Sequence, residues 1–242
     1  MSDRAYGNRN IILIAVAILA IGIVAGGYLL GDGLRRARMA DRAVTMRGLA
    51  ERNVTADLAT WNLNFSAQGT DAGEVQAEIE RDTRTIQAFF RAAGFPAAAV
   101  SDGGGSINSF YDTNRQANVV TINRSLQFRS TDVMRARRAY ARQFDLIRNG
   151  VALQEGSRMT YNFTKLNDVK PAMIAQSIQD ARRAADQFAR DSGSEVGAIR
   201  SATQGYFSIG ARDGDSEEGG GGANDSPFQK VRVVTTIEFY LG

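Results

Sequence analysis

Residues 54–65 read VTADLATWNLNF, and from Ala59 onward apolar and polar side chains alternate one by one. Trp61, Leu63 and Phe65 share one side with Ala59, while the intervening positions are threonine and asparagine. A period of two is typical of a β-strand that buries one face. The stretch predicts such a strand, with the single tryptophan beneath a helix; a ligand-stacking role for this ring is the less favoured alternative.

The same alternation returns at the C-terminus, where residues 231–241 read VRVVTTIEFYL. Between the two stretches, Asp71 is placed as a helix N-cap with Glu74 as its capping-box partner, and Gly94 closes that helix. We interpret Gly103–Gly105 as a flexible turn before a hairpin. The predicted strands cover residues 44–48, 54–65, 107–111, 118–129, 159–163, 196–209 and 231–241, and two further helices run from Ser130 or Thr131 to Asn149 and from Asp168 to Asp191.

The order of these elements is strand–helix–strand–strand, then a linking helix, then strand–helix–strand–strand again. We therefore predict an α+β fold of two similar halves, each with a mainly antiparallel sheet covered by helices on one side. One N-terminal transmembrane helix is expected to precede it. The predicted organisation is a tail (1–10), an anchor (11–30), a basic linker (31–42) and the α+β domain (43–242), with a flexible acidic, glycine-rich loop at 213–226.

The anchor is predicted from Ile11–Leu30, an apolar run without charge or proline. About 20 such residues rise about 30 Å as a helix, enough to cross the hydrocarbon core of a bilayer. A cleaved signal peptide is the alternative, since Arg4 and Arg9 form a basic start and Ala25 precedes small residues. The run is longer than a typical signal core, which favours an uncleaved anchor.

Four arginines follow the apolar run, at Arg35, Arg36, Arg38 and Arg42. By the positive-inside rule they would keep the domain in the cytoplasm, against export. Beside a membrane they are expected to contact anionic lipid head groups, each contributing about 1 kcal/mol. An ordinary stop-transfer flank is the equally favoured interpretation.

Composition excludes several chemistries, because the 242 residues include no histidine and no cysteine. Thiolate nucleophiles, disulfides, thiolate metal sites and Ser-His-Asp hydrolysis are therefore ruled out. Serine–lysine chemistry would use Ser157 and Lys165, but no supporting motif surrounds them. We predict no catalytic, metal-binding or cofactor-binding residue.

Other candidate sites are also disfavoured by their sequence context. Asp213, Asp215 and Glu217 alternate as in a calcium loop, but the expected glycine and terminal glutamate are missing. The glycines at 103–105 lack the Lys-Ser/Thr of a phosphate loop. The formal net charge is +3, and the arginines are scattered through helices that also carry acids, so nucleic acid is not an expected partner.

Two blocks of sequence resemble a known family. Residues 44–51 (VTMRGLAE) and 54–61 (VTADLATW) are similar to the opening strands of SIMPL-domain proteins, which include bacterial periplasmic immunogens and proteins linked to oxidative-stress defence. Residues 181–185 (ARRAA), with Phe188, Gly193 and Val196, resemble that family's alanine-rich helix and following strand. The resemblance implies an envelope location, self-assembly into rings or channel-like oligomers, and no accepted active site.

The expectation is a single-pass inner-membrane protein whose domain is periplasmic, as the resemblance implies and the flanking charges do not. It would be a non-enzymatic homo-oligomer or scaffold linked to protection under envelope or oxidative stress, with no cofactor. The alternative is a periplasmic module that binds a small molecule or peptide in a cleft between the two halves.

Overall fold

The computed structural model describes residues 19–33, 42–114, 116–212, 222 and 224–242. Within them, residues 19–33 form helix α1 and a short 3-10 turn covers Ala97–Ala99. The strands are β1 (Ala43–Thr55), β2 (Leu58–Gly69), β3 (Val100–Asp112), β4 (Ala117–Ser130), β5 (Met159–Asn162), β6 (Val196–Gln204), β7 (Ser208–Ala211) and β8 (Phe228–Leu241), and the remaining helices are α2 (Ala72–Ala92), α3 (Val133–Tyr140), α4 (Phe144–Arg148) and α5 (Leu166–Ser192).

The predicted α+β fold with antiparallel sheets is confirmed. One sheet has the order β3-β4-β2-β5, and the other has the order β1-β8-β6 with β7 also paired to β8. The pairs β2–β4, β2–β5, β3–β4, β6–β8 and β7–β8 are antiparallel. The sheets do not correspond to the two predicted halves of the chain. Strand β5, from the second half, belongs to the sheet of β2, and β1, from the first half, belongs to the sheet of β8.

Several predicted boundaries are wrong for local reasons. Residues 54–65 are not one strand, since β1 ends at Thr55 and β2 begins at Leu58. The predicted helix at 131–149 is two helices separated by residues 141–143, and the strand at 196–209 is divided into β6 and β7. The cap of α3 is Asp132, not Ser130 or Thr131, because its carboxylate accepts the backbone N–H of Arg135 at 3.0 Å.

The chain divides into two compact units, and the larger one comprises Glu51–Met173 and Phe207–Arg232. Its core confirms the burial of Trp61, which is 0% exposed. The Trp61 ring lies edge-on to Phe90 at 5.6 Å and to Tyr140 at 5.0 Å, and Phe90 stacks on Phe128 at 4.2 Å. The periodic apolar face of α2 therefore covers the alternating face of β2, as the pattern predicts.

The smaller unit comprises Met1–Ala50, Ile174–Tyr206 and Val233–Gly242. Its core cluster brings two alanines of α5 against Ile237 and Phe239 of β8. The small alanine side chains let the helix lie close to the strands. Inside this unit the Ser177 hydroxyl donates to the carbonyl of Ile174 at 2.9 Å and lies 2.7 Å from the Thr235 hydroxyl, so both buried hydroxyl groups are hydrogen-bonded.

In the described part of the chain, no helix combines the length and the apolar character needed to cross a bilayer. Residues 11–18 of the predicted span Ile11–Leu30 lie outside the described residues, as does most of the predicted loop at 213–226. The transmembrane helix therefore stays a prediction.

Candidate self-association surface

Strand β3 forms one edge of the sheet β3-β4-β2-β5. Among the described strands it pairs with β4 alone, through the ladder from Val100 opposite Phe128 to Asp112 opposite Ala117. Every residue from Ser101 to Tyr111 is exposed. The backbone groups on the outer side of such a strand are available to another strand.

The exposed edge is also apolar. Ile107 lies beside Ile122 in the ladder and Phe110 lies beside Val119, and both β4 residues are buried. Ile107, Phe110 and the neighbouring Tyr111 nevertheless remain 69%, 52% and 59% exposed. Apolar side chains on both faces of the hairpin therefore continue to its edge, where the described residues do not cover them.

Residues 103–111, GGGSINSFY, carry no charge. Soluble proteins usually protect edge strands with charges, proline or a β-bulge. Here the bulge lies between Asp102 and Gly104, and the carboxylate of Asp102 pairs with Arg124 at 2.7 Å. Both features lie near the start of β3, and no charge follows them until Asp112 at the end of the strand.

The interpretation of Gly103–Gly105 as a flexible turn is wrong, because all three residues belong to β3. Gly104 has a φ of 92° at the bulge, a conformation that L side chains rarely adopt. The glycine run thus serves a bulged strand. The uncharged stretch at 103–111 was the sequence signal for this surface, but only the ladder identifies it as an edge.

Of the four arginines predicted to contact lipid, Arg42 is the one that the structure describes. Arg35, Arg36 and Arg38 lie outside the described residues. Arg42 is exposed, and its backbone carbonyl accepts the N–H of Leu241 at 2.9 Å. Lipid contact stays a prediction.

No cluster of three or more potential metal-ligating side chains occurs in the described part of the chain. Ser157, the serine considered for serine–lysine chemistry, has its hydroxyl group occupied by the backbone. Its Oγ donates to the carbonyl of Asn64 at 3.0 Å and accepts the N–H of the same residue at 2.9 Å. This geometry ties the segment before β5 to β2. Asp213, Asp215 and Glu217 lie outside the described residues.

Three groups in the larger unit have perturbed acidity, each with a local cause. Burial raises the pKa of Asp82 on α2, with Glu78 adding to the shift and Arg81 opposing it. Hydrogen bonds from Arg148 and Arg142 lower the pKa of Asp145. Burial also raises the pKa of the Tyr161 hydroxyl group.

A cleft of about 440 Å³ lies within the larger unit, at the start of β2 and of α3. Phe95 and Leu58 contribute apolar surface, and Arg129 and Arg135 contribute guanidinium groups. Arg135 is already engaged, with its Nε 3.1 Å from a carboxylate oxygen of Asp132 and its guanidinium 5.8 Å from the Phe95 ring centre. Such a lining suits a small organic anion with an apolar body.

Comparison with known families identifies a family for this chain. The model of the SIMPL family, described as a protein of unknown function (DUF541), matches residues 44–239. The match covers most of the chain and confirms the resemblance predicted from residues 44–61 and 181–197. No curated protein matches the chain.

Proposed function

The chain belongs to the SIMPL family, and from this premise we propose that it is a membrane-anchored, non-enzymatic protein of the bacterial envelope that self-associates through β3. The observation that carries the proposal is the exposed edge of that strand, which is uncharged over residues 103–111. Protection under envelope or oxidative stress would then come from assembly, without turnover of a substrate.

Self-association explains why an apolar edge persists in this protein. An exposed, long, hydrophobic edge strand is an association site for a further strand, since main-chain hydrogen bonds and apolar contacts are both available. Ile107, Phe110 and Tyr111 would lose their solvent exposure in such a contact. Burial of a large apolar side chain contributes about 1.5–3 kcal/mol relative to full exposure.

The proposed anchor is supported by the side chains of α1. All seven of its large apolar side chains are at least 64% exposed, from Leu19 at 64% to Leu30 at 75%. They continue the apolar run that begins at Ile11. A lipid environment would cover them, and the linker at 31–42 would keep the α+β domain close to the membrane.

The test of self-association is the mass of the full chain in lipid nanodiscs or detergent, measured by multi-angle light scattering with the carrier subtracted. The wild-type protein should give at least twice the 26.2 kDa of one chain. Ile107→Lys places a charge in the middle of the edge and should shift the mass towards that of one chain. Ile199→Lys is the matched control, because Ile199 is 49% exposed on β6, an edge of the other sheet.

Equal masses for wild type and Ile107→Lys would contradict the role of β3. A wild-type protein that stays monomeric at high micromolar concentration would contradict self-association itself. Loss of association in both lysine variants would indicate a general effect of added charge, and the assignment of the interface to β3 would be contradicted.

Location is tested by protease treatment of intact spheroplasts. Digestion of the domain from outside supports export and an anchored topology. Protection until lysis would mean that the arginines at 35, 36, 38 and 42 orient the protein with its domain in the cytoplasm, against the proposal.

A second candidate function is a small-ligand module, favoured by the cleft beside Phe95, Arg129 and Arg135. We propose 4-fluorobenzoate as the probe, observed by ¹⁹F NMR line broadening, because it combines an apolar ring with an anion. Arg129→Gln should reduce the broadening, while 4-fluorobenzyl alcohol should bind weakly to either protein. Broadening that is equal for the acid and the alcohol, or unchanged in Arg129→Gln, would exclude this site.

A further inference from the structure

We infer that β3 pairs with β3 of a second copy, antiparallel and two-fold symmetric, in a register centred on Asn108. This inference rests on the proposed function and specifies which strand meets β3 and how. It joins two β3-β4-β2-β5 sheets into one continuous eight-stranded sheet and closes the dimer, because a two-fold contact uses the same surface on both copies.

The bulge and the edge charges limit the possible registers. Pairing must begin after the bulge at Asp102 and Gly104 and end near Asp112, where the strand ends. The segment 104–112 is centred on Asn108. In this register Gly104 lies opposite the partner's Asp112, so no two like charges face each other.

A shift by one residue in either direction shortens the new ladder. Centring the pair on Ser109 would pair only residues 106–112, because β3 ends at Asp112. Centring the pair on Ile107 would pair only residues 104–110 before the bulge is reached, because residue 103 is the extra residue of that bulge. Centring the pair on Asp112 would place the two Asp112 carboxylates, one from each copy, directly opposite each other, and like charges in such positions are destabilising. Centring it on Ser106 would draw the bulge into the new ladder and break its hydrogen bonding.

The exposed side chains complement one another in the Asn108-centred register. Ile107 lies opposite the partner's Ser109, so its diagonal neighbours on the same face are the partner's Ile107 and Tyr111. Diagonal neighbours are about 7–8 Å apart, within reach of large side chains. The four apolar side chains therefore form one cluster across the two-fold axis.

Glycine on one strand also meets an aromatic ring on the other. Tyr111 lies opposite the partner's Gly105, and Phe110 lies opposite the partner's Ser106. An aromatic side chain placed across from an edge glycine covers backbone that glycine leaves exposed. The second copy thus covers the large exposed side chains of β3 on both faces of the sheet.

The test uses the absence of cysteine from the chain, which gives cross-linking no background. Asn108→Cys should form a disulfide-linked dimer under mild oxidation in the full-length protein. It should react about tenfold faster than Ser106→Cys, because a disulfide needs Cβ atoms within about 4.5 Å. Ser201→Cys on β6 is the matched control and should not cross-link.

Spin labels at the same positions give an independent distance scale. Each residue adds about 3.4 Å along a strand, and position 106 lies two residues from the two-fold axis on both strands. Labels at position 106 should therefore be offset along the strands by about 14 Å, and labels at position 108 by almost none. If the label–label distance is shorter at position 106 than at position 108, the inferred register is wrong.

The failure of the register and the failure of the proposed function give different results. One result would be an oligomeric wild type in which Asn108→Cys does not cross-link by itself but does cross-link when mixed with Ser201→Cys. This would mean that β3 pairs with β6, which overturns the inferred register and leaves self-association standing. A monomeric wild type overturns both proposals. Hydrogen exchange of the wild type provides a measurement without substitution. The outward-facing amides of residues 104–112, which are every second one because the others already donate to β4, must become protected on association. Unchanged exchange of these amides overturns the pairing.

Discussion

Replacing Gly48 by alanine should destabilise the smaller unit more than any other single-methyl addition to a strand. Gly48 lies on β1, and a Cβ built on it would overlap the carbonyl oxygen of Ser177 and stand 2.6 Å from the nitrogen of Ala181. It would also stand 2.9 Å from the Ala181 Cβ. Two of these three atoms belong to the backbone of α5, so no side-chain rotation can relieve the overlap.

The size of the effect follows from the displacement that the methyl group requires. Ordinary contact begins at 3.4 Å, so the contact with Ala181 alone requires about 0.8 Å of separation between β1 and α5. A gap of 0.5–1 Å forfeits about a quarter to a half of the attraction between packed atoms. Overpacking of this kind costs about 1–3 kcal/mol, and backbone overlap places Gly48→Ala near 3 kcal/mol.

Thermal unfolding followed by circular dichroism is the assay. For a chain of this size each kcal/mol lowers Tm by about 2–4 °C, so Gly48→Ala should lower it by about 6–12 °C. Gly210→Ala is the matched control: it also lies in a strand, and a Cβ there meets nothing within 4 Å. If the two variants have the same Tm, the close approach of β1 and α5 is not as described and the reasoning is refuted.

Two further predictions concern buried polar groups. Because burial raises the pKa of Asp82, the native state keeps a proton that the unfolded chain has lost, and stability falls as pH rises from the ordinary aspartate range through the raised value. Asp82→Asn removes this titration. The unfolding free energy of the variant in urea, minus that of the wild type, should therefore increase with pH across that window, and a constant difference would contradict the assignment. Thr235→Val removes the 2.7 Å hydrogen bond to the Ser177 hydroxyl, which keeps its bond to the carbonyl of Ile174 at 2.9 Å, and should cost about 0.5–1.5 kcal/mol. In a double-mutant cycle with Ser177→Ala the two losses should be less than additive, whereas strict additivity would mean that the hydrogen bond contributes nothing.

Local patterns predicted the elements that have one clear periodicity. The alternation of β2 and β8 and the helical spacing of α2 specify which face of each element is buried, and the structure confirms those faces. The capping box at Asp71 also predicted the start of α2, since the Asp71 carboxylate accepts the Glu74 N–H at 2.9 Å. These features depend on residues within a few positions of one another, which a sequence displays directly.

Predictions were less accurate where two interpretations share one pattern. The stretch at 54–65 looked continuous because Val54 and Thr55 favour strands as much as the residues after Leu58 do. The backbone instead turns at Ala56, whose N–H donates to the carbonyl of Pro227 at 2.8 Å. That partner is far along the chain and has no counterpart in the local sequence.

The sequence by itself determined the family, the buried faces and the chemistry that lack of histidine and cysteine excludes. Only the tertiary structure decided that β1 joins β8, that β5 joins β2, and that β3 is left at an edge. Alternation tells which face of a strand is buried but carries no information on which strand lies beside it. Neighbours in a sheet are chosen by the combined packing of distant segments, and for that reason the candidate interface becomes visible only in the folded chain.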